Sequence, residues 1–435
     1  MKIISNPPQD TWSKLTQRPA QKFKKIEKIV KPILKKVKKK GDSALRYFSL
    51  EYDGVELEKL VESQAEIASA SAKVEDPMKQ ANTLAYNNIW KFHEAQQTDD
   101  LEVETMPGVS CLRRSVPIDR VGLYIPGGTA PLFSTVLMTG IPAKIAGCKE
   151  IIMCTPCNRR GEIHPAMLYT AQLVGIDKIF KVGGAQAIAA MAYGTESIPK
   201  VYKIFGPGNQ YVTVAKQLVS KSKVAIDMPA GPSEVAVLAD DSADPSFIAA
   251  DLLSQAEHGV DSQVVLVSTS ERIINETVEA IKFQLKELPR QEIAREALNN
   301  SLAFIVPDIL TGYELLNEYA AEHLIIATEN PEQAIEHITN AGSVFLGHYT
   351  PESAGDYASG TNHTLPTNGF AKAYSGISLD SYMKKITYQS ISPDGLRALG
   401  PQVEVMAEAE QLEAHKSAVS LRHAKISEDS MISST

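Results

Sequence analysis

The chain has 435 residues, 43% of them apolar and 22% charged, and its 44 Lys+Arg against 52 Asp+Glu leave a net charge of −8. At roughly 150 residues per domain the length calls for several cores, and the acidic balance argues against a nucleic-acid ligand, which demands a basic excess. No apolar run approaches the ~18–20 residues of a membrane span, the N-terminus has no signal-like apolar stretch, and the four cysteines are too few for a disulfide framework, so a cytoplasmic enzyme is expected.

Residues 22–40 are dense in lysine, with Ile26, Ile29, Ile33, Leu34 and Val37 recurring among them at helical spacing. This predicts an amphipathic helix with a solvated lysine face, bent or split at Pro32. An anion-binding patch is the sharper alternative, disfavoured by the acidity of the whole chain. Gly41-Asp42 closes that helix, and 43–101 read as mostly helical. From 116 the pattern alternates. Strands are expected at 121–125, 150–154, 178–182, 201–205 and 224–227, with helices at 134–147, 163–174 and after the turns at 183–186 and 206–209. Strands at 234–239, 263–268, 302–306, 323–327 and 343–346, with helices at 245–258 and 271–287, repeat the rhythm. Strand–helix alternation with short links means parallel sheets covered on both faces. The fold class is therefore α/β, two Rossmann-like α/β domains that suggest a duplication, with helical N- and C-terminal segments. A Gly-, Ser-, Thr- and Pro-rich loop spans 348–376, an amphipathic helix covers about 401–426, and the end from Ser427 is expected to fray.

Candidate chemistry starts from the nine histidines. Gln255 and His258 stand three apart in the last turn of a helix that Gly259 stops, so they share a face. Phe247, Ile248, Leu252 and Leu253 point elsewhere, toward a core. Such a Gln–His pair either holds a metal or faces solvent near the helix dipole. Glu322-His323 precedes the buried strand 324–326, a place suited to proton chemistry or to a plain ion pair. The loop 353–363 adds Asp356 and His363, and Glu410 and His415 lie on the C-terminal helix. Pooled, these are nitrogen and oxygen ligands without thiolates, which suits Zn²⁺ best, with Mn²⁺ or Co²⁺ as substitutes. Cys154-Thr155-Pro156-Cys157 is a lone pair of thiols, read as reduced and non-functional.

Gly127-Gly128, Gly183-Gly184-Ala185-Gln186 and Gly206-Pro207-Gly208-Asn209 each follow a strand and open a helix, where backbone amides can face a pyrophosphate. None is a GxGxxG fingerprint. A dinucleotide site is thus suggested by position alone. The loop 227–234 joins the two α/β units, and crevices between such units commonly hold small molecules.

The runs GLYIPGG (122–128), APLFSTVLM (130–138), GGAQAIAA (183–190), IFGPGN (204–209), IDMPAGPSE (226–234), DLLSQAEHG (251–259), EHLII (322–326), SAGDYASGTNH (353–363) and AHK (414–416) resemble histidinol dehydrogenase in consistent order over about residues 10–425. The lysine-rich 22–40 stretch and Arg159-Arg160-Gly161 are less typical of that family. The resemblance implies oxidation of L-histidinol to L-histidine through L-histidinal, with two NAD⁺ and one Zn²⁺ per active site, as the last step of histidine synthesis. It implies Gln255, His258, Asp356 and His415 as zinc ligands. Substrate contacts would be Ser233, Gln255, His258, His323, Asp356, His363, Glu410 and His415. NAD contacts would be Tyr124, Gln186 and Asn209, and Glu322 and His323 the proton-transfer residues. It further implies a homodimer with shared active sites. On this reading residues 1–23 form an N-terminal segment. A first α/β domain, 24–115 with 234–377, carries the metal and catalytic residues, and a second, 116–233, binds NAD. A helical segment, 378–435, reaches the partner subunit. A zinc hydrolase using Glu322 on water, a dehydrogenase for another amino alcohol, and a non-catalytic sensor are the competing readings.

Overall fold

The computed structural model describes residues 1–18, 23–127, 130–221, 224–229 and 231–432. Lys22, Gly128 of the first glycine turn, Ala230 of the joining loop and the last residues, 433–435, lie outside these. Strands are numbered here in chain order: β1 Lys2–Ser5, β2 Leu101–Met106, β3 Val109–Pro117, β4 Arg120–Tyr124, β5 Glu150–Cys154, β6 Lys178–Phe180, β7 Lys203–Phe205, β8 Ala225–Ile226, β9 Glu234–Ala239, β10 Gln263–Ser268, β11 Leu302–Ile305, β12 His323–Ala327, β13 Ser343–Leu346 and β14 Met383–Ile391.

The chain divides into two compact units, Met1–Gln96 with Ile118–Tyr382, and Gln97–Pro117 with the residues from Met383 onward. The first unit has the expected α/β architecture. It holds two all-parallel sheets, ordered β6-β5-β4-β7-β8 and β1-β11-β10-β9-β12-β13. Counted from the first strand of each run, β4 and β9, both read 3-2-1-4-5, the order of a doubly wound sheet. Every residue of β9, β10 and β12 is buried, as strands covered on both faces require. β1, which the opening residues did not announce, adds to the edge of the larger sheet by pairing with β11.

The lysine-rich helix is Phe23–Lys40, continuous through Pro32. Pro32 lies on its exposed face, away from the packed stripe. Ile26, Val30, Ile33, Leu34 and Val37 pack against Phe180, Ile188 and Val212 around the smaller sheet, while Ile29 is exposed. The loop expected over 348–376 contains a helix, Glu352–Tyr357.

The second unit holds an antiparallel sheet ordered β14-β3-β2, and β14 precedes the helices expected within 378–435. Residues of β2 and β14 are almost all exposed; β2 alternates Leu101, Glu102, Val103 and Glu104, yet neither Leu101 nor Val103 is buried. The single C-terminal helix is two, Pro393–Ala409 and Glu413–Ile432, broken where Gln411 takes a left-handed φ of 60°. The second of these helices runs as far as Ile432.

Candidate active site

The two sheets place the candidate residues at opposite ends of their strands. In the smaller sheet they follow the carboxyl ends of β4, β6 and β7, where ligands of doubly wound folds bind beside the strands at which the order reverses. In the larger sheet Glu234 and His323 are the first residues of β9 and β12, which lie side by side in parallel. That site is at the amino edge. The helix Pro245–Ala256 runs back along the sheet, so its C-terminal turn delivers Gln255 to the same edge. Asp244 caps its start by accepting from Ser246 N at 2.7 Å. Ile248, Leu252 and Leu253 bury as expected, but Phe247 is exposed.

His323 sits at the centre, 4% exposed. Its Nδ1 lies 3.2 Å from Gln255 Nε2, 3.3 Å from the Glu234 carbonyl, 3.6 Å from Glu352 Oε1 and 3.8 Å from Glu322 Oε2. Its Nε2 lies 3.3 Å from Asp356 Oδ1, without the alignment of a hydrogen bond. Glu322 Oε2 accepts from the Glu234 amide at 2.9 Å, and Gln255 Nε2 donates to the Glu234 carbonyl at 3.1 Å. Gln255 Oε1, His323 Nε2, Glu352 Oε2 and Asp356 Oδ1 are buried with no hydrogen-bond partner among the described residues. Four such atoms on neighbouring side chains, two of them carboxylate oxygens, suit an electropositive ligand.

The charges set one another. Burial pushes the Glu322 carboxyl up to about 8, against the opposing pull of His323 and the Glu234 amide. Burial alone lowers the His323 imidazole, but the carboxylates of Glu352, Glu322 and Asp356 outweigh it and raise it to about 10. Glu352 is raised by burial. Asp356 is also pushed upward by burial but ends below its ordinary value, because His323, His363 and His258 surround it. Asp251, one turn before Gln255, is raised by burial to about 7.

Among the described His, Cys, Asp and Glu side chains, His323, Glu352 and Asp356 are the group whose ligand atoms lie within 4.8 Å of one another. Of the expected zinc ligands, Asp356 belongs to this group and Gln255 adjoins it. His258 follows just beyond and is exposed, yet Asp356, His323 and His363 act on it, and partial desolvation lowers its pKa. His363 Nδ1 donates to the Asp356 carbonyl at 2.8 Å, and its Nε2 lies 3.3 Å from Thr135 Oγ1. Ser233 lines a cavity with Glu322, His363, Gly206 and Lys216. Glu410 and His415 lie in the second unit, both exposed. Glu352 was missed by sequence reading. Its four-residue spacing to Asp356 on one short helix was the available signal, hidden because the segment read as a loop.

At the other edge, Tyr124 ends β4 and its hydroxyl accepts from Gly184 N at 3.1 Å. Gln186 is buried in the first turn of the following helix. Asn209 caps its helix through Oδ1, accepting from Tyr211 N at 3.0 Å and Val212 N at 3.1 Å, which leaves its Nδ2 donors free of that task. The turn beginning at Gly206 is held by a buried pair: its amide donates to Asp227 at 2.8 Å, its carbonyl accepts from Lys216 at 2.8 Å, and Lys216 pairs with Asp227. Gly206 has φ 116°, and a Cβ there would strike the Tyr124 carbonyl. The cysteines are free, and burial pushes Cys157 up to about 11, so it is no nucleophile near neutrality.

A model of the histidinol dehydrogenase family matches residues 16–423. The chain is 58% identical over 422 residues to histidinol dehydrogenase of Bacteroides thetaiotaomicron, covering 97% of this chain and 99% of that one. It is 53% identical over 414 residues to the enzyme of Haemophilus influenzae, covering 95% and 96%. A crystal structure of histidinol dehydrogenase from Elizabethkingia anophelis superposes with a TM-score of 0.96 at 53% identity, covering 98% of this chain and 99% of that one. On these likenesses the chain belongs to the histidinol dehydrogenase family and is an oxidoreductase.

Proposed function

We propose that this enzyme oxidises L-histidinol to L-histidine through L-histidinal, as the last step of histidine synthesis, with two NAD⁺ as acceptors and one Zn²⁺ per site. The observation that carries the reading is the buried Glu322–His323 pair beside the unpartnered Gln255 Oε1 and Asp356 Oδ1. The donor set suits zinc, being nitrogen and oxygen without thiolate. Gln255, His258 and Asp356 would hold the ion, with His415 of a second copy as the fourth ligand. Bound there, zinc supplies a template that orients the substrate's amine and imidazole, and NAD, seated by Tyr124, Gln186 and Asn209, accepts the electron pairs.

The chain's own residues then move protons. His323 would take the alcohol proton at Nε2, which faces Asp356 Oδ1 at 3.3 Å; with that carboxylate committed to the metal, the pull that raises the ring to about 10 is lessened and the neutral form is favoured, while Nδ1 faces the Glu234 carbonyl and the Glu352 carboxylate. The aldehyde must gain water before the second oxidation. Glu322, raised to about 8, would accept that water's proton in its ionised form, which is populated as pH rises toward that value. Ser233, His363 and Glu410 complete the substrate contacts on this reading. Keeping the aldehyde enclosed between steps prevents side reactions.

The domain assignment follows the same lines, with the metal and bases in 24–115 and 234–377, NAD in 116–233, and 378–435 reaching the partner. The shared 3-2-1-4-5 order supports a duplication. Exposed Val405, Met406 and Leu412 beside Glu410 and His415 support a homodimer with shared sites. Four free cysteines suit a reducing cytoplasm. No described helix is long and apolar enough to cross a membrane. Family membership sets aside the hydrolase and sensor alternatives. The test is NADH formation by purified protein with histidinol, with histidinal and with an aliphatic amino alcohol. Two NADH per histidinol, and little turnover of the aliphatic alcohol, are expected. One NADH per histidinol, or preference for the aliphatic alcohol, would refute the reading.

A further inference from the structure

Glu234 stands back to back with the catalytic pair. Its main chain serves the site: the amide donates to Glu322 Oε2 at 2.9 Å, and the carbonyl meets Gln255 Nε2 at 3.1 Å and His323 Nδ1 at 3.3 Å. Its side chain, 1% exposed, points away and meets Arg18. Arg18 Nε donates to Oε1 at 2.9 Å and Nη2 to Oε2 at 2.8 Å, a bidentate pair between residues 216 positions apart. Arg18 Nη2 also reaches the Ala320 carbonyl at 3.2 Å, and the guanidinium lies 3.9 Å above the Tyr319 ring. Ala320 is a left-handed residue, φ 53°, two positions before Glu322. The Asn368 amide donates to Glu234 Oε1 at 2.8 Å.

One guanidinium therefore grips both chain segments that enter the site, just ahead of β12 and at the first residue of β9. We infer that Arg18 is a positioning residue for the reaction, holding Glu234 and, through the Glu234 main chain, the orientation of Glu322 and His323. This rests on the proposed roles of Glu322 and His323. Lysine cannot replace it, because a single ammonium cannot span both carboxylate oxygens and the Ala320 carbonyl while stacking on a ring.

The test is kinetic, with Arg18→Lys, Arg18→Met, Glu322→Gln and the double variant R18K/E322Q assayed side by side, and thermal melting run on each. R18K keeps the charge and stem and is the variant expected to fold. It should lose about 10–100-fold in kcat, as supporting residues behind catalytic side chains commonly do, with KM for NAD within about twofold because the turns of the smaller sheet are untouched. The loss in R18K/E322Q should fall short of the product of the single losses, since part of the Arg18 effect acts through the Glu322 carboxylate. Wild-type kcat in R18K, or losses that multiply in the double variant, would overturn the inference. A fully active E322Q would instead overturn the role of Glu322 itself, which keeps the two failures distinct.

Discussion

Glu322→Gln separates the chemistry of this residue from its packing. Gln keeps the shape, and its amide oxygen can still accept from the Glu234 amide, which now reaches Glu322 Oε2 at 2.9 Å. What is lost is the ability to take a proton. Loss of a general base is commonly worth about 10²–10⁴-fold. That loss should fall on histidinal oxidation, the step that needs water activated, much more than on histidinol oxidation. Stability should move the other way. Burial raises the Glu322 pKa from 4.5 to about 8. Between those values the native state retains a proton that the unfolded chain has released, so stability falls as pH rises through this window. The shift corresponds to a charging penalty on the order of 5 kcal/mol. Gln never ionises and escapes it. In metal-free protein, E322Q should therefore gain stability relative to the parent as pH rises from about 5 to about 9. The assays are single-turnover NADH formation from each substrate and melting curves across that pH range. Equal losses in both half-reactions would refute the water-activating role, and a parallel pH dependence of melting in the two proteins would refute the buried, raised carboxyl.

Three further outcomes are expected. Chelator should abolish turnover and Zn²⁺ restore it, and His258→Asn should lower the metal content measured by atomic absorption; full activity in verified metal-free protein would rule the metal out. His258→Ala and His415→Ala, each nearly inactive, should regain activity when unfolded together and refolded, toward about a quarter of wild type if mixing is random, because each mixed dimer with crossed ligands has one intact site; mixed dimers shown to form yet remaining inactive would exclude sharing. Gly206→Ala should destabilise by about 1–3 kcal/mol through its left-handed backbone and raise KM for NAD more than KM for histidinol, because the added methyl strikes the Tyr124 carbonyl; unchanged KM for NAD would remove that turn from the cofactor site.

What the sequence alone determined was local and periodic. Alternating apolar runs and helical stripes sufficed for the α/β class, because strands buried on both faces must be apolar throughout, as β9 and β10 are. Motif runs placed Glu322, His323, Gln255 and Asp356 in a family whose membership the whole-chain likeness establishes. Tertiary structure decided what depends on contacts between distant positions. β1 is a strand because β11, three hundred positions on, offers it an edge. The exposed strand β14 of the second unit is fixed by pairing with β3, more than 260 positions earlier. Glu352 is buried against His323 only because a short helix forms inside a polar loop. The site lies at the amino edge of the larger sheet because the helix carrying Gln255 runs antiparallel to the strands it covers, and its last turn meets Glu234 and His323 there. Arg18 joins them across 216 positions, a distance over which periodicity and spacing carry no information, since a bidentate pair is specified by geometry and leaves no pattern along the chain.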